Sequence, residues 1–102
     1  MSRIEILRDI LTKEPNDTFT KYALALEYAA AGKTDEAEEI FTDIVENTPD
    51  YVAAYYQYGK LLEDKAETER ARKIYSQGIF VATSQNDLHT RSELQDAMDN
   101  LF

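Results

Sequence analysis

The sequence repeats itself with a period of 34 residues, and this repeat constrains the fold more than any other feature. When the chain is shifted by one period, small side chains align with small ones and large apolar side chains with large ones. A fixed period of this length is typical of proteins in which one supersecondary unit stacks on the next. The aligned pairs are Pro15 with Pro49, Leu24 with Tyr58, Ala25 with Gly59, Tyr28 with Leu62, Ala37 with Ala71 and Phe41 with Tyr75, and Leu7 joins the column of Phe41.

The first helix of the first unit is predicted from Thr18 to about Ala31. Apolar residues recur there at steps of three and four, as they do on one face of an α-helix. Asn16, Asp17 and Thr18 carry side-chain oxygens that can cap its N-terminus. Gly32 follows its last residue and suits the left-handed conformation that often ends a helix.

The bounds of the second helix in each unit are predicted from two signals. A polar residue that can cap the N-terminus marks the start, and a proline, where there is one, marks the end. In the first unit Thr34 or Asp35 is the expected cap, and Pro49 ends the helix. In the second unit Thr68 is the expected cap. Proline is missing at the corresponding end, so this helix is expected to continue to about Ser84.

The first helix of the second unit is predicted from Tyr51 to about Asp64, with Asp50 as its cap. The turn that follows lacks the glycine of the first unit, because Ala66 stands where Gly32 stood. A left-handed alanine costs on the order of 1 kcal/mol. A looser turn around Lys65 and Ala66 is therefore expected.

The two ends of the chain are predicted to be single helices. Residues 3–14 match the second helix of a unit, and Ser2 with Glu5 forms a capping-box pattern at its start. Residues 87–101 are predicted to form a last helix. A stack of repeats needs terminal helices with one polar face, since its end units would otherwise expose apolar surface. With Met1, these end helices suggest a self-contained protein.

The composition agrees with an all-α protein and excludes several functions. Three Gly and two Pro in 102 residues are few, and good helix formers are abundant. With 20 acidic and 11 basic residues, the net charge is −9. This disfavours binding to nucleic acids and to anionic membranes. The chain has no Cys and one His, which excludes thiolate chemistry and Cys-rich or poly-His metal centres. No apolar run or leader is evident, so a cytoplasmic location is expected.

The repeat resembles the tetratricopeptide repeat, whose pattern is W-x2-L-G-x2-Y, then A-x3-F, then P. The first unit has Lys21, Leu24, Ala25, Tyr28, Ala37, Phe41 and Pro49 at these positions. The second unit has Tyr55, Tyr58, Gly59, Leu62, Ala71, Tyr75 and Thr83. Lys21 replaces the usual aromatic residue, and Ile44 stands where alanine is usual. The resemblance implies one all-α domain over 1–102, with about six helices in antiparallel pairs: a half-repeat at 3–14, repeats at 18–51 and 52–85, and a capping helix at 87–101.

The resemblance also implies a function, because proteins of this family generally bind other proteins. Their first helices line a concave groove that takes a peptide or a helix of the partner. Chaperone-tail recognition by paired Lys and Asn is not expected, because Tyr22 and Leu26 occupy those positions of the first unit. The expected function is a non-catalytic adaptor without metal or cofactor. The positions that would face the groove are Phe19, Tyr22, Ala23, Leu26, Tyr56, Gln57, Lys60 and Glu63.

Two further interpretations stay open. The chain could associate with copies of itself through the groove or its terminal helices. Residues 16–50 carry nine acidic and two basic side chains. They are most simply a solvated helix face, although steering toward a basic partner or a halophilic source would also explain them. No calcium-loop pattern is present.

An enzyme is the least favoured interpretation. His89 is the one histidine, and Asp87, Thr90 and Ser92 lie near it in sequence. One short helix cannot bring such residues into the convergent geometry of a catalytic triad. His89 is therefore expected to be an exposed residue near the start of the last helix.

Overall fold

The computed structural model describes residues 1–101, and these residues form helices and short turns without a strand. The expected all-α fold is confirmed. The chain divides into two compact units, Met1–Thr48 and a second that begins at Pro49. The helices are α1 (Arg3–Lys13), α2 (Thr18–Ala30), α3 (Thr34–Asn47), α4 (Ala53–Asp64), α5 (Thr68–Ser84) and α6 (Leu88–Asp99).

In the first unit, α2 packs against both α1 and α3. Its core is formed by buried residues of the predicted columns, and it includes Leu7, Leu24 and Phe41. The edge of the Tyr22 ring faces Phe41, with 6.4 Å between the ring centroids. Thr18 and Thr48 share a hydrogen bond of 3.2 Å, which joins the start of α2 to the residue after α3. Helices α2 and α3 are therefore antiparallel, as the resemblance to the repeat implied.

In the second unit, α4 and α5 form the corresponding pair, and α6 packs against both of them. Two glycines allow the pair to approach closely. A Cβ atom at Gly59 would lie 2.2 Å from the ring of Tyr75, and one at Gly78 would lie 2.6 Å from the Cβ of Tyr55. Since both rings are buried, they could not easily move away. The close contact between α4 and α5 thus depends on a glycine on each helix.

Three helices end in the same left-handed turn. Gly32, Ala66 and Asn86 have φ angles of 77°, 60° and 56°. In each turn, the backbone N–H groups of this residue and of the residue after it donate hydrogen bonds to carbonyls in the last turn of the helix. This is the Schellman pattern. The expected looser turn at Ala66 was wrong, because Ala66 takes the same conformation as Gly32 and makes the same bonds.

Several predicted caps were also wrong. α3 begins after Lys33 and α5 after Glu67, with no side-chain cap at either position. α4 begins at Ala53 rather than Tyr51, so Asp50 does not cap it. Left-handed turns at Gly32 and Ala66 lead directly into α3 and α5 and place Lys33 and Glu67 at the N-cap positions, one residue before the predicted caps.

The remaining caps gave a mixed result. Asp17 precedes α2, but its carboxylate accepts a hydrogen bond from the buried Thr20 hydroxyl at 2.8 Å instead of capping the backbone. The capping box of Ser2 and Glu5 is present as predicted. The extension of α5 to Ser84 is confirmed, whereas the last helix ends at Asp99, before the predicted residue 101.

We predict that Ala66→Gly stabilises the protein. Glycine removes the cost of holding a Cβ in the left-handed region, so the free energy of unfolding should rise by about 1 kcal/mol. Urea unfolding followed by circular dichroism measures this change. Gly32→Ala is the reciprocal control. It adds a Cβ in open space, so it should lose a similar amount through strain alone. A loss of stability in Ala66→Gly would contradict the assignment of strain to this residue.

Candidate functional site

The four residues predicted on the first helix come together in one surface pocket. Phe19, Tyr22, Ala23 and Leu26 line a depression of about 280 Å³ on α2. Phe19 has 69% of its surface exposed, whereas Ala23 is buried in the core beneath the pocket. Since α2 turns once in 3.6 residues, the spacing of these residues places them on one face. The pocket is therefore lined mainly by apolar side chains.

Two charged residues that the sequence did not indicate complete this pocket. Arg3 of α1 and Glu27 of α2 line it, and their side chains form an ion pair at 2.6 Å. Arg3 falls in the repeat column of Ala37 and Ala71, which are fully buried. A large charged residue in a column of small residues was the signal that this position of α1 is exposed.

The residues predicted on α4 form a separate cluster in the second unit. The Lys60 ammonium lies 5.4 Å from the centre of the Tyr56 ring and 3.8 Å from the Glu63 carboxylate. Tyr56 in turn lies beside the Tyr75 ring, with 6.4 Å between their centroids. Gln57 is half-buried on the same helix. This surface therefore carries aromatic area together with one exposed cation and one partly exposed carboxylate.

Tyr75 links this cluster to the core. Its hydroxyl donates a hydrogen bond to Glu63, although its ring is fully buried. Burial raises the pKa of Tyr75 well above its ordinary value of 10.0, and the bond to the Glu63 carboxylate raises it further. Burial also raises the pKa of Tyr55, whose hydroxyl donates to the Pro49 carbonyl at 2.6 Å. Glu63 is therefore held by the core and is not a freely moving surface group.

The residues considered for catalysis lie at and near the start of α6. Asp87 caps α6 by accepting a hydrogen bond from the Thr90 backbone N–H at 3.1 Å. This contact with Thr90 lowers the pKa of Asp87. The His89 side chain is 86% exposed and lies 3.6 Å from Glu93. The expected position of His89 near the start of the last helix is confirmed.

The described residues contain neither a cluster suited to a metal ion nor a membrane-spanning helix. No group of three His, Asp or Glu side chains in residues 1–101 could hold a metal ion. Across the same part of the chain, each helix is too short or too polar to span a bilayer.

The paired helices, the equal period and the matching turns define an α-helical repeat protein. The tetratricopeptide repeat family model matches residues 28–90, which is more than half of the chain. The chain therefore belongs to the tetratricopeptide repeat family. Repeats of this family generally act as protein-interaction modules. No curated protein matches the sequence significantly.

Solved structures with related sequences support this assignment. A solution structure of a tetratricopeptide repeat domain protein from Salinibacter ruber is 44% identical, covers 82% of this chain and 85% of its own, and has a TM-score of 0.79. A crystal structure of such a domain protein from Salinibacter ruber is also 44% identical, with coverage of 80% and 92% and a TM-score of 0.77. A Bordetella parapertussis protein, 23% identical, shares the fold over 97% of this chain and 86% of its own with a TM-score of 0.84.

We predict that Tyr75 makes the stability of the protein fall at alkaline pH. An unfolded tyrosine ionises near pH 10, whereas folded Tyr75 keeps its proton to higher pH. Its contribution is therefore complete below pH 10 and is lost as the pH rises toward the folded pKa. In Tyr75→Phe, the free energy of unfolding should drop by about 1 kcal/mol at pH 8 through the lost hydrogen bond. It should then decline less than the wild type between pH 8 and pH 11.

Urea unfolding at both pH values measures this difference. Tyr28→Phe is the control, because it also removes one phenol but leaves Tyr75 and Tyr55 intact. It should keep the alkaline decline of the wild type. Equal declines in the wild type and Tyr75→Phe would show that Tyr75 does not cause the effect.

Proposed function

We propose that this protein is a non-catalytic adaptor that binds a peptide or helix of a partner protein through the first helices of its repeats. The observation that carries the proposal is the pocket on α2. All four residues that the repeat register assigns to the ligand face of this helix line it. The family's general use in protein interaction supports the same conclusion.

The chemistry of the α2 pocket favours an apolar side chain as its main occupant. Phe19 offers a large exposed ring, and Leu26 and Tyr22 add further apolar area. The ion pair of Arg3 and Glu27 lies at the same pocket, where its charges can interact with polar backbone groups of a bound peptide. We therefore expect a peptide that inserts an aromatic or aliphatic residue beside Phe19.

The α4 surface, which belongs to the second unit, is suited to polar groups of a ligand. Tyr56 provides area at a low cost in side-chain entropy, because it has few rotatable bonds. Lys60, positioned over this ring, can pair with a carboxylate of the partner. Glu63 is fixed by Tyr75 and can accept a hydrogen bond without reorganising. We propose that Tyr56, Gln57, Lys60 and Glu63 contact the polar portion of the ligand.

One observation favours self-association as a second candidate function. Ile6 and Ile10 of α1 and Met1, which precedes this helix, are exposed and line a depression of about 270 Å³. Ile10 is the repeat counterpart of Ile44, which is almost completely buried. Residues 1–15 carry three basic and three acidic side chains, so this face avoids the repulsion expected between two chains of net charge −9. A weak dimer formed by two copies of α1 would cover it.

We predict that Phe19→Ala weakens the binding of ligand peptides, whereas Phe80→Ala does not. Phe80 is the matched control, since it is a similarly exposed phenylalanine on α5. Peptides would be selected on the wild-type protein from a random displayed library and measured against each variant by fluorescence anisotropy. Loss of a central aromatic contact should weaken binding at least tenfold. Equal binding to wild type and Phe19→Ala would reject the pocket as the ligand site.

We predict that Ile6→Glu prevents self-association. Sedimentation of the wild type should show a dimer at high micromolar concentration, and the variant should remain a monomer because its carboxylate would be buried in the interface. Phe80→Glu adds the same charge on another helix and should leave the dimer intact. A wild-type monomer under these conditions would reject this second function and leave the adaptor proposal unaffected.

A further inference from the structure

The first unit has a second groove on another side of α2. Helices α1 and α3 both pack against α2, and within the described residues they do not pack against each other. The space that remains between them is about 440 Å³. Its apolar surface consists of Leu11, Leu24, Tyr28 and Ile40. These residues lie in or beside the hydrophobic core of the unit, so the groove is an uncovered edge of that core.

This groove is separate from the candidate pocket for the adaptor ligand. The groove uses Leu24 and Tyr28 of α2, whereas the pocket uses Tyr22 and Leu26. Successive helical residues are rotated by about 100°, so the two sets lie about half a turn apart. The two surfaces share no lining residue. A ligand in one would therefore leave the other exposed.

The α3 wall of the groove is strongly acidic. Helix α3 carries six carboxylates and no basic residue. At the groove, Asp43 is paired with Lys21 at 2.7 Å. Glu36 and Glu39 also line it, and neither of their carboxylates makes a hydrogen bond or an ion pair within residues 1–101. Because they are three residues apart on a helix, their side chains are neighbours on one face. Two unpaired carboxylates of α3 therefore stand beside an apolar surface, and Arg8 of α1 also lines the groove.

We propose that this groove binds a basic amphipathic segment of a partner protein. Apolar side chains of the segment would cover the partly exposed Leu11, Tyr28 and Ile40. Its Lys or Arg side chains would extend along the apolar surface and place their cations beside Glu36 and Glu39, as long basic side chains commonly do. The charge of the α3 wall selects a basic partner over an acidic one. This surface would give the adaptor a second ligand, distinct from the one on the first helices.

The test uses the full-length protein and a fluorescent helical peptide of leucine, alanine and lysine. Binding is measured by anisotropy at low salt, and the contact site is mapped by backbone amide chemical shifts. The wild type should bind the peptide, with the largest shifts around residues 8–11, 24–28 and 36–43. The double variant Glu36→Gln/Glu39→Gln should bind about tenfold more weakly, since it loses two ion pairs beside apolar surface. A peptide with glutamate in place of lysine should not bind.

A matched control separates a built site from general attraction between opposite charges. Glu14→Gln/Glu46→Gln makes the same change in net charge with two exposed residues that do not line the groove. It should weaken binding less than twofold. Equal weakening by both double variants would overturn the proposal. The proposal would also be overturned if the peptide changed amide chemical shifts around Phe19 instead of at the groove. It would likewise be overturned if amide shifts at the groove changed with protein concentration in the absence of peptide. The Phe19→Ala variant should bind this peptide normally, so failure here is independent of the adaptor function.

Discussion

The packing of the second unit depends on two tyrosines, each of which packs against a glycine of the facing helix. The Tyr75 ring of α5 lies against Gly59 of α4, and Tyr55 of α4 lies against Gly78 of α5. This reciprocal arrangement fixes the depth at which the helices pack, because a Cβ at either glycine would collide with a buried residue. It also fixes where the hydroxyls emerge. The hydroxyl of Tyr55 reaches a carbonyl before α4, and that of Tyr75 reaches Glu63 at the candidate site.

The first unit solves the same packing problem in a different way, and this explains its two departures from the family pattern. Lys21 and Ile44 occupy the positions of Tyr55 and Gly78. In the first unit the large buried side chain is on the second helix, where Ile44 is almost completely buried. Lys21 then extends to Asp43 of α3. Where the second unit has a ring on its first helix and glycine on its second, the first unit has Lys21 and Ile44. Lys21 thereby places a charged side chain at the wall of the acidic groove.

The sequence was sufficient to predict features that depend on period and size. It predicted six helices, the left-handed glycine and the face of α2 that lines a pocket. It failed where tertiary packing outweighed a local preference. Ala66 accepts a strained conformation because the turn must direct α5 back along α4, and that packing exceeds a cost of about 1 kcal/mol. It also missed Arg3 and the groove between α1 and α3, since these depend on which helices leave space between them.

The arrangement of α2 explains how this chain offers separate surfaces for the two proposed ligands. This helix is packed by α1 and α3, yet each neighbour covers it incompletely. One uncovered strip contains Phe19, Tyr22 and Leu26 and is mainly apolar. The other contains Tyr28, lies beside the buried Leu24 and is bordered by carboxylates of α3. Because the strips differ in charge, a segment suited to one would bind the other poorly, and both could be occupied together without exchange of ligands.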